Sequence, residues 1–279
     1  MIKKAGILYN ARITDAVDLA QRLQSTLSEY DVKSWACSAA DEAAIGEEIQ
    51  GTVAVISLGG DGTLLRVARI VAEASLPILA VNMGTLGFNT ELSTAEVNER
   101  IGDFIHGKGW IDERAMLDVE LPLHSDFPIT QALNDVVVGR GAVIRAIKTR
   151  VSVNSQPITT YRTDGIVVAT ATGSTAYSMA AGGPMLFPNA SELLLTPLIP
   201  IEGPSAAIVL PSDAVVEIEV QTAHEARVSI DGQVELALRN LDAIRVQRSH
   251  KITRLLRIQP QEDFYQNILK KLSGKERIL

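Results

Sequence analysis

Short apolar runs alternate with amphipathic stretches along the first hundred residues, the pattern of strands that enter a parallel sheet and of helices that cover it. Ala5 to Tyr9 is a first buried strand. Thr14 caps the helix behind it, in which Val17, Leu19, Ala20, Leu23 and Leu27 recur at three- and four-residue spacing. Val32 to Trp35, Val53 to Leu58 and Ile78 to Val81 are the next strands. Between the last two, Leu64, Leu65, Val67, Ala68, Ile70 and Val71 give a helix with a wide apolar face. Ser93 and Glu96 have the spacing of a capping box and open a further helix that carries Val97, Ile101 and Phe104 inward.

After Gly107-Lys108-Gly109 the texture changes to short alternating segments rich in Val, Ile and Thr, broken by Gly, Pro, Asn and Asp. Val215 to Val220 is a strand, and Arg227 to Ile230 with Val234 to Leu238 is a hairpin turned at Asp231-Gly232. Asn154-Ser155 has the makings of a second such turn. Thr175 to Ala181 stands apart, small, polar and tolerant of helix among strands. Glu262 to Leu272 reads as a final helix with Phe264, Ile268, Leu269 and Leu272 as its apolar stripe. The expected architecture is an α/β domain with a mainly parallel sheet over residues 1–108, a β-rich, sandwich-like domain over 109–258, and a C-terminal helical segment over 259–279.

Composition narrows the function classes. The chain has 279 residues, 46% hydrophobic and 21% charged, which excludes a mainly disordered or low-complexity protein. Aromatics at 4% and a net charge of −7 argue against a nucleic-acid binder, whose footprint is basic and often aromatic. The basic run Arg239, Arg245, Arg248, Lys251, Arg254 and Arg257 is read as a solvated face. One cysteine, Cys37, forms no intramolecular disulfide, and no histidine or cysteine spacing signals a metal site of the protein's own. No 18-residue apolar run marks a membrane span, and the cytoplasm is the expected compartment.

The sharpest chemical signal is Leu58-Gly59-Gly60-Asp61-Gly62-Thr63, between a β-branched strand and an amphipathic helix. Glycines at such a junction bring backbone N–H groups close to an anion, and the helix start adds partial positive charge. Gly59, Gly60, Gly62 and Thr63 are therefore a candidate phosphate loop. It is neither a Rossmann fingerprint nor a Walker loop. Asp61, a carboxylate among phosphate-cradling amides, fits a proton acceptor or a partner of a cation. Asn82 to Phe88 follows the next strand at the same sheet edge. In the β-rich half, Asn134-Asp135 sets an amide and a carboxylate side by side, one able to reach a ligand and the other to serve the scaffold. The hydroxyl-rich stretch from Arg162 to Ser178, continuing to Gly182-Gly183-Pro184, suits a sugar or nucleotide.

In this order, Gly59 to Thr63, Asn82 to Phe88, Leu133 to Val137, Asp164-Gly165, Thr172-Gly173-Ser174-Thr175-Ala176-Tyr177, Gly182-Gly183-Pro184 and Asp231-Gly232-Gln233 resemble the motif set of NAD kinases along nearly the whole chain. The GGDG element is shared with phosphofructokinases and with diacylglycerol and sphingosine kinases, whereas the TGSTAY stretch is specific. The resemblance implies transfer of a phosphoryl group from ATP, or from polyphosphate, to the 2′-hydroxyl of the adenosine ribose of NAD. It implies a divalent cation, Mg²⁺, bound mainly through the donor, a C-terminal helix returning to the first domain, and a homodimer or homotetramer. Carried over by position, it implies Asp61 as proton acceptor with Gly62 beside it. It further implies Asn134, Asp135, Arg145, Arg162, Asp164, Thr175, Ala176, Tyr177, Ser178, Met179, Ala180 and Gln233 as NAD contacts. Asp135 stands where many bacterial members have Glu, one methylene longer, and Ala171 where the common pattern has Pro. Two other readings remain open here: a lipid or sugar kinase sharing the GGDGT loop, and a non-catalytic NAD sensor. The first lacks an apolar lid, and the second has no use for Asp61.

Overall fold

The computed structural model describes residues 2–84, 87–124, 126–143 and 145–260. The helix expected over 262–272 lies outside the described residues, as do Thr85 and Leu86. The chain divides into two compact units, one holding the described residues up to Glu113 and from Thr253 onward, the other Arg114–Ile252.

The first unit runs β1 (Lys4–Tyr9), α1 (Thr14–Glu29), β2 (Lys33–Ser38), α2 (Glu42–Glu48), β3 (Ala54–Gly59), α3 (Asp61–Val71), β4 (Pro77–Asn82), β5 (Leu92–Ser93) and α4 (Thr94–Ile105). Its chain leaves within β6 (Trp110–Glu120) and returns within the last residues of β17 (Ala243–Arg257). The strands form a parallel sheet in the order β2-β1-β3-β4. Arg254 and Leu255 extend it beside Pro77 and Ile78 of β4. Ile7, Ile56 and Leu79 pack with Leu19 and Leu23 of α1 and Phe104 of α4 in one core cluster. Each such side chain, fully removed from water, contributes about 1.5–3 kcal/mol.

Helix α1 departs from expectation at its start. Ile13 occupies the N-cap without a side-chain bond, and Thr14 is the first helical residue. The buried face runs through Ala16, Leu19, Ala20, Leu23 and Leu27, which leaves Val17 at 36% exposure one position off the stripe. Helix α4 has its full capping box: Glu96 Oε2 accepts the Ser93 N–H at 2.7 Å and Ser93 Oγ accepts the Glu96 N–H at 3.3 Å.

The second unit adds β7 (Thr130–Ala132), β8 (Asp135–Arg140), β9 (Ile147–Val153), β10 (Gln156–Thr163), β11 (Gly165–Ala169), α5 (Tyr177–Ala180), β12 (Leu193–Leu198), β13 (Ile208–Leu210), β14 (Val215–Gln221), β15 (Ala226–Ile230) and β16 (Val234–Leu238). One antiparallel sheet has the order β10-β9-β14-β17, the other β13-β12-β11-β8-β15-β16. Inward residues of both, among them Val151, Val216, Ile218, Val138, Val168 and Val228, share one core, as the alternation requires. Both sequence-predicted turns have consecutive positive φ, 50° and 63° at Asn154-Ser155 and 51° and 64° at Asp231-Gly232, the type I′ geometry that matches strand twist. The anomalous stretch after β11 is a 3₁₀ turn (Gly173–Thr175) followed by the single turn of α5. Among the described residues no helix is long and apolar enough to cross a membrane.

Candidate functional site

In the first unit, β3 ends at Gly59 and α3 begins at Asp61, with Gly60 as the extended N-cap. A Cβ at Gly59 would collide with the buried Thr63 side chain, so glycine is required there for close approach. At Gly60 and Gly62 an added Cβ would meet nothing within 4 Å, so packing does not explain those glycines. The Asp61 carboxylate is held from across the loop after β4: Oδ2 accepts the Phe88 N–H at 2.7 Å and Oδ1 the Asn89 N–H at 3.1 Å. Gly87 permits this, since a Cβ there would lie 2.5 Å from Asp61 Oδ1. The last residue of the Asn82 to Phe88 motif and the residue after it thus deliver backbone donors to the carboxylate. Each oxygen keeps lone-pair capacity for a further proton donor.

The order of the parallel sheet reverses between β1, which leads to β2, and β3, which leads the opposite way to β4. Open α/β sheets bind ligands at the carboxyl ends of strands at such a switch point. A cleft of about 370 Å³ lies there, lined by Asn10 and Arg12 after β1, Ser38 after β2, and Gly60, Gly62 and Arg66 of the loop and α3. Among the described residues, neither the Arg12 nor the Arg66 guanidinium has an ion-pair partner. Two cations beside a helix N-terminus and a glycine loop give this cleft the positive character that favours an anion.

In the second unit, three consecutive backbone N–H groups converge on one carboxylate. Asp231 accepts from Leu133 at 2.8 Å, Asn134 at 2.8 Å and Asp135 at 3.1 Å. The hairpin tip therefore shapes the segment entering β8. From the other side, Thr170 donates its hydroxyl to Leu133 O at 2.6 Å and its N–H to Asn134 O at 2.9 Å. A Cβ at Gly173 would overlap the Asn134 carbonyl, so the 3₁₀ turn lies directly against it. Buried Arg114 donates to Thr172 Oγ1 at 3.2 Å, tying down the same turn. Asp135 is buried, and its carboxyl is pushed up to about 7 by burial first and by Asp231 second, against the Tyr177 N–H that bonds it. Beside it, the buried Asn134 Oδ1 has no hydrogen-bond partner. Around them Tyr177 and Ala180 are exposed, and Thr175, Ala176, Met179 and Gln233 are half-buried. Ser178 is buried and bonded to Thr196 Oγ1 at 2.9 Å, so its hydroxyl braces α5.

Family models for the ATP-NAD kinase N-terminal domain and C-terminal domain match residues 5–109 and 133–258. A NAD kinase of Dehalococcoides mccartyi is 42% identical over 276 residues, spanning 98% of this chain and 97% of the relative. The chain belongs to the NAD kinase family. A NAD kinase of Chloroflexus aurantiacus is 33% identical over 98% of this chain and 99% of its own. Among solved structures, a yeast NADH kinase complexed with NADH has a TM-score of 0.85 at 21% identity, covering all of this chain and 89% of its own. A NAD kinase from Archaeoglobus fulgidus in complex with ATP has a TM-score of 0.78 at 22% identity, covering 97% and 99%. At these identities the structural likeness speaks to the fold: an N-terminal α/β sheet and a C-terminal β sandwich, as the NAD kinase resemblance implies.

The NAD kinase motif residues of the second unit do not all come together. Arg162 and Asp164 flank the start of β11, while Asn134, Asp135 and the turn after Ala169 lie at its other end. Asp164 and Thr170 are six residue steps apart along extended chain, roughly 20 Å. Asp164 pairs with Arg140 at 3.3 Å, Arg162 with Glu202 at 3.5 Å, and Arg145 lies 3.2 Å from His224 Nε2. Sequence reading passed over Arg12, Arg66 and Arg114, took Thr170 only as part of the hydroxyl-rich stretch, and gave Asp231 a place in the hairpin turn and the motif set but no bonding role. The signal available for Asp231 was its place beside Gly232 in a predicted I′ turn, where Asn and Asp are common for local reasons. The basic run was misjudged at one position. Arg257 is 2% exposed and paired with Glu91 and Asp112, not solvated.

Proposed function

We propose that this chain transfers the terminal phosphoryl group of ATP, or of inorganic polyphosphate, to the 2′-hydroxyl of the adenosine ribose of NAD. The observation that carries this reading is the match to both NAD kinase domains along the chain. The first unit binds the donor's phosphates in the switch-point cleft, where Arg12, Arg66 and the start of α3 offset their charge. The second unit holds the dinucleotide with Asn134 and the surface from Thr175 to Ala180 and Gln233. In-line phosphoryl transfer gives a protein little covalent work, so position and electrostatics dominate.

Asp61 receives the acceptor hydroxyl. A carboxylate is too weak a base to ionise a ribose hydroxyl outright, so it orients the hydroxyl and takes its proton late, as the bond to phosphorus forms. The Phe88 and Asn89 amides fix the oxygens for that task. Among the described residues no group of three His, Cys, Asp or Glu side chains could hold a metal. A divalent cation accompanies the donor, and when bound it supplies neutralisation of phosphate charge.

The same reading makes the protein cytoplasmic and a homodimer or homotetramer. Exposed Ile199 and Ile201, at 76% and 63%, stand beside the Arg162–Asp164 end of β11 and suit a face covered by a second copy. Incubating purified protein with NAD, Mg²⁺ and either donor tests the function. NADP carrying the phosphate at the 2′ position supports it. Phosphorylation of a lipid or sugar instead, or NAD binding without any NADP, overturns it.

A further inference from the structure

Arg257 is the last residue of β17, two residues beyond Leu255, which pairs with Ile78 of β4. It is almost wholly buried, and its guanidinium serves three groups of the first unit. Nε donates to Asp112 Oδ2 at 3.0 Å, and Nη1 to Glu91 Oε2 at 3.3 Å and to the backbone carbonyl of Asn89 at 2.9 Å. Glu91 is engaged on its other oxygen by the N–H groups of Ile258 and Gln259, at 2.8 and 2.7 Å. Two buried carboxylates already compensate the charge, and a buried ion pair adds little net stability over an apolar replacement. The contact to Asn89 is the one that ion pairing does not require. Asn89 is also the residue whose N–H bonds Asp61 Oδ1 at 3.1 Å. A planar guanidinium anchored on two carboxylates thus fixes one face of Asn89, and the other face of Asn89 fixes Asp61.

We infer that Arg257 is a positioning residue for phosphoryl transfer, setting the orientation of the Asp61 carboxylate through the backbone of Asn89. The inference rests on Asp61 being the group at the acceptor hydroxyl. A lysine at 257 keeps the charge but not the fork: its three donors radiate from one nitrogen, whereas the arginine reaches Asp112 from Nε and Glu91 and the Asn89 carbonyl from Nη1, so the ammonium does not reproduce all three bonds. The Asn89 strap then loosens, and Asp61 loses its aim without any loss of a substrate contact.

The test is a double-mutant cycle on the full chain with NAD and Mg·ATP. Wild-type turnover first establishes the activity, so that its absence would count against the functional reading and not against this one. Arg257→Lys is expected to lower kcat by between about tenfold and about 100-fold, the range that misplacing a reacting group by up to about 1 Å produces. The KM values should stay within about twofold, as for an interaction made only in the transition state. In an Asp61→Asn background the same substitution is expected to change kcat no further, because the group it positions is gone. If the losses multiply, or if KM rises while kcat holds, the role is general structure and the inference fails. Should Arg257→Lys not fold, the triple change Arg257→Gln, Glu91→Gln and Asp112→Asn replaces all three charged side chains by neutral amides and leaves no uncompensated buried charge. It carries the same two expectations and the same two refutations.

Discussion

Asp231 Oδ1 accepts the backbone N–H of Asp135 at 3.1 Å, so two buried carboxylates meet at the entry to β8. One of them organises three successive amides, and the other sits where ionisation is unfavourable. This corner fixes the backbone of Asn134, and it makes the second unit sensitive to pH.

Burial and the Asp231 charge raise the Asp135 carboxyl to about 7 in the folded protein, far above the ordinary aspartate value of 3.8 that holds in the unfolded chain. Over that interval the native state binds more protons than the unfolded state, so stability falls as pH rises from about 4 to about 7 and then levels off. The full effect is roughly 4 kcal/mol. Asp135→Asn should flatten this dependence and stabilise the protein at pH 8. Urea denaturation from pH 4 to 8 checks it; a wild-type contribution that grows toward pH 7 and is unaffected by the substitution would contradict it.

Asp231→Ala should be among the most costly single changes. It strands three inward-facing N–H groups, and each unsatisfied buried donor costs about 1–3 kcal/mol, for a total of at least about 3 kcal/mol. The Asn134 backbone shifts with them, so NAD affinity should fall together with Tm. Thermal unfolding and NAD titration check the pair of effects; a stable variant with normal NAD binding would show that the amides find other partners.

Gly87→Ala acts on the other unit. The added methyl presses on Asp61 Oδ1, and turnover should fall by about 100-fold while both KM values hold. Steady-state kinetics reads this directly, and an unchanged kcat would mean that the loop yields without moving the carboxylate.

Arg66→Gln should raise KM for the donor by about 10- to 100-fold, the loss expected for a charged hydrogen bond of about 1.5–3 kcal/mol. The KM for NAD should not follow. Varying each substrate in turn separates the two, and a rise confined to NAD would move the donor away from the switch-point cleft.

Features legible in the sequence were local ones. The glycine loop, the Ser93–Glu96 capping box and the two I′ turns each declare themselves within a few residues, because propensity and spacing act there. The Thr14 cap was misplaced because caps are settled by the entering chain's direction, and Ile13 took the position without a side-chain bond. What escaped were bonds that only the fold assembles. Asp231 lies 96 to 98 residues from the amides it holds, and Arg257 lies 168 from Asn89. Arginines spaced three apart along a strand also look like solvated residues, and nothing nearby marks Arg257 as the one that turns inward. The separation of Asp164 from Asn134 was hidden likewise, since motif order along a chain carries no distance.

The claim on which the rest depends is that the Asp61 carboxylate handles the proton of the acceptor hydroxyl. Its most direct test is kcat for NADP formation by Asp61→Asn, measured beside the NAD dissociation constant of the same variant. A fall in kcat of at least about 100-fold, the lower bound for general-base assistance, with NAD affinity kept, is the expected result. Turnover close to wild type in a folded variant would contradict it.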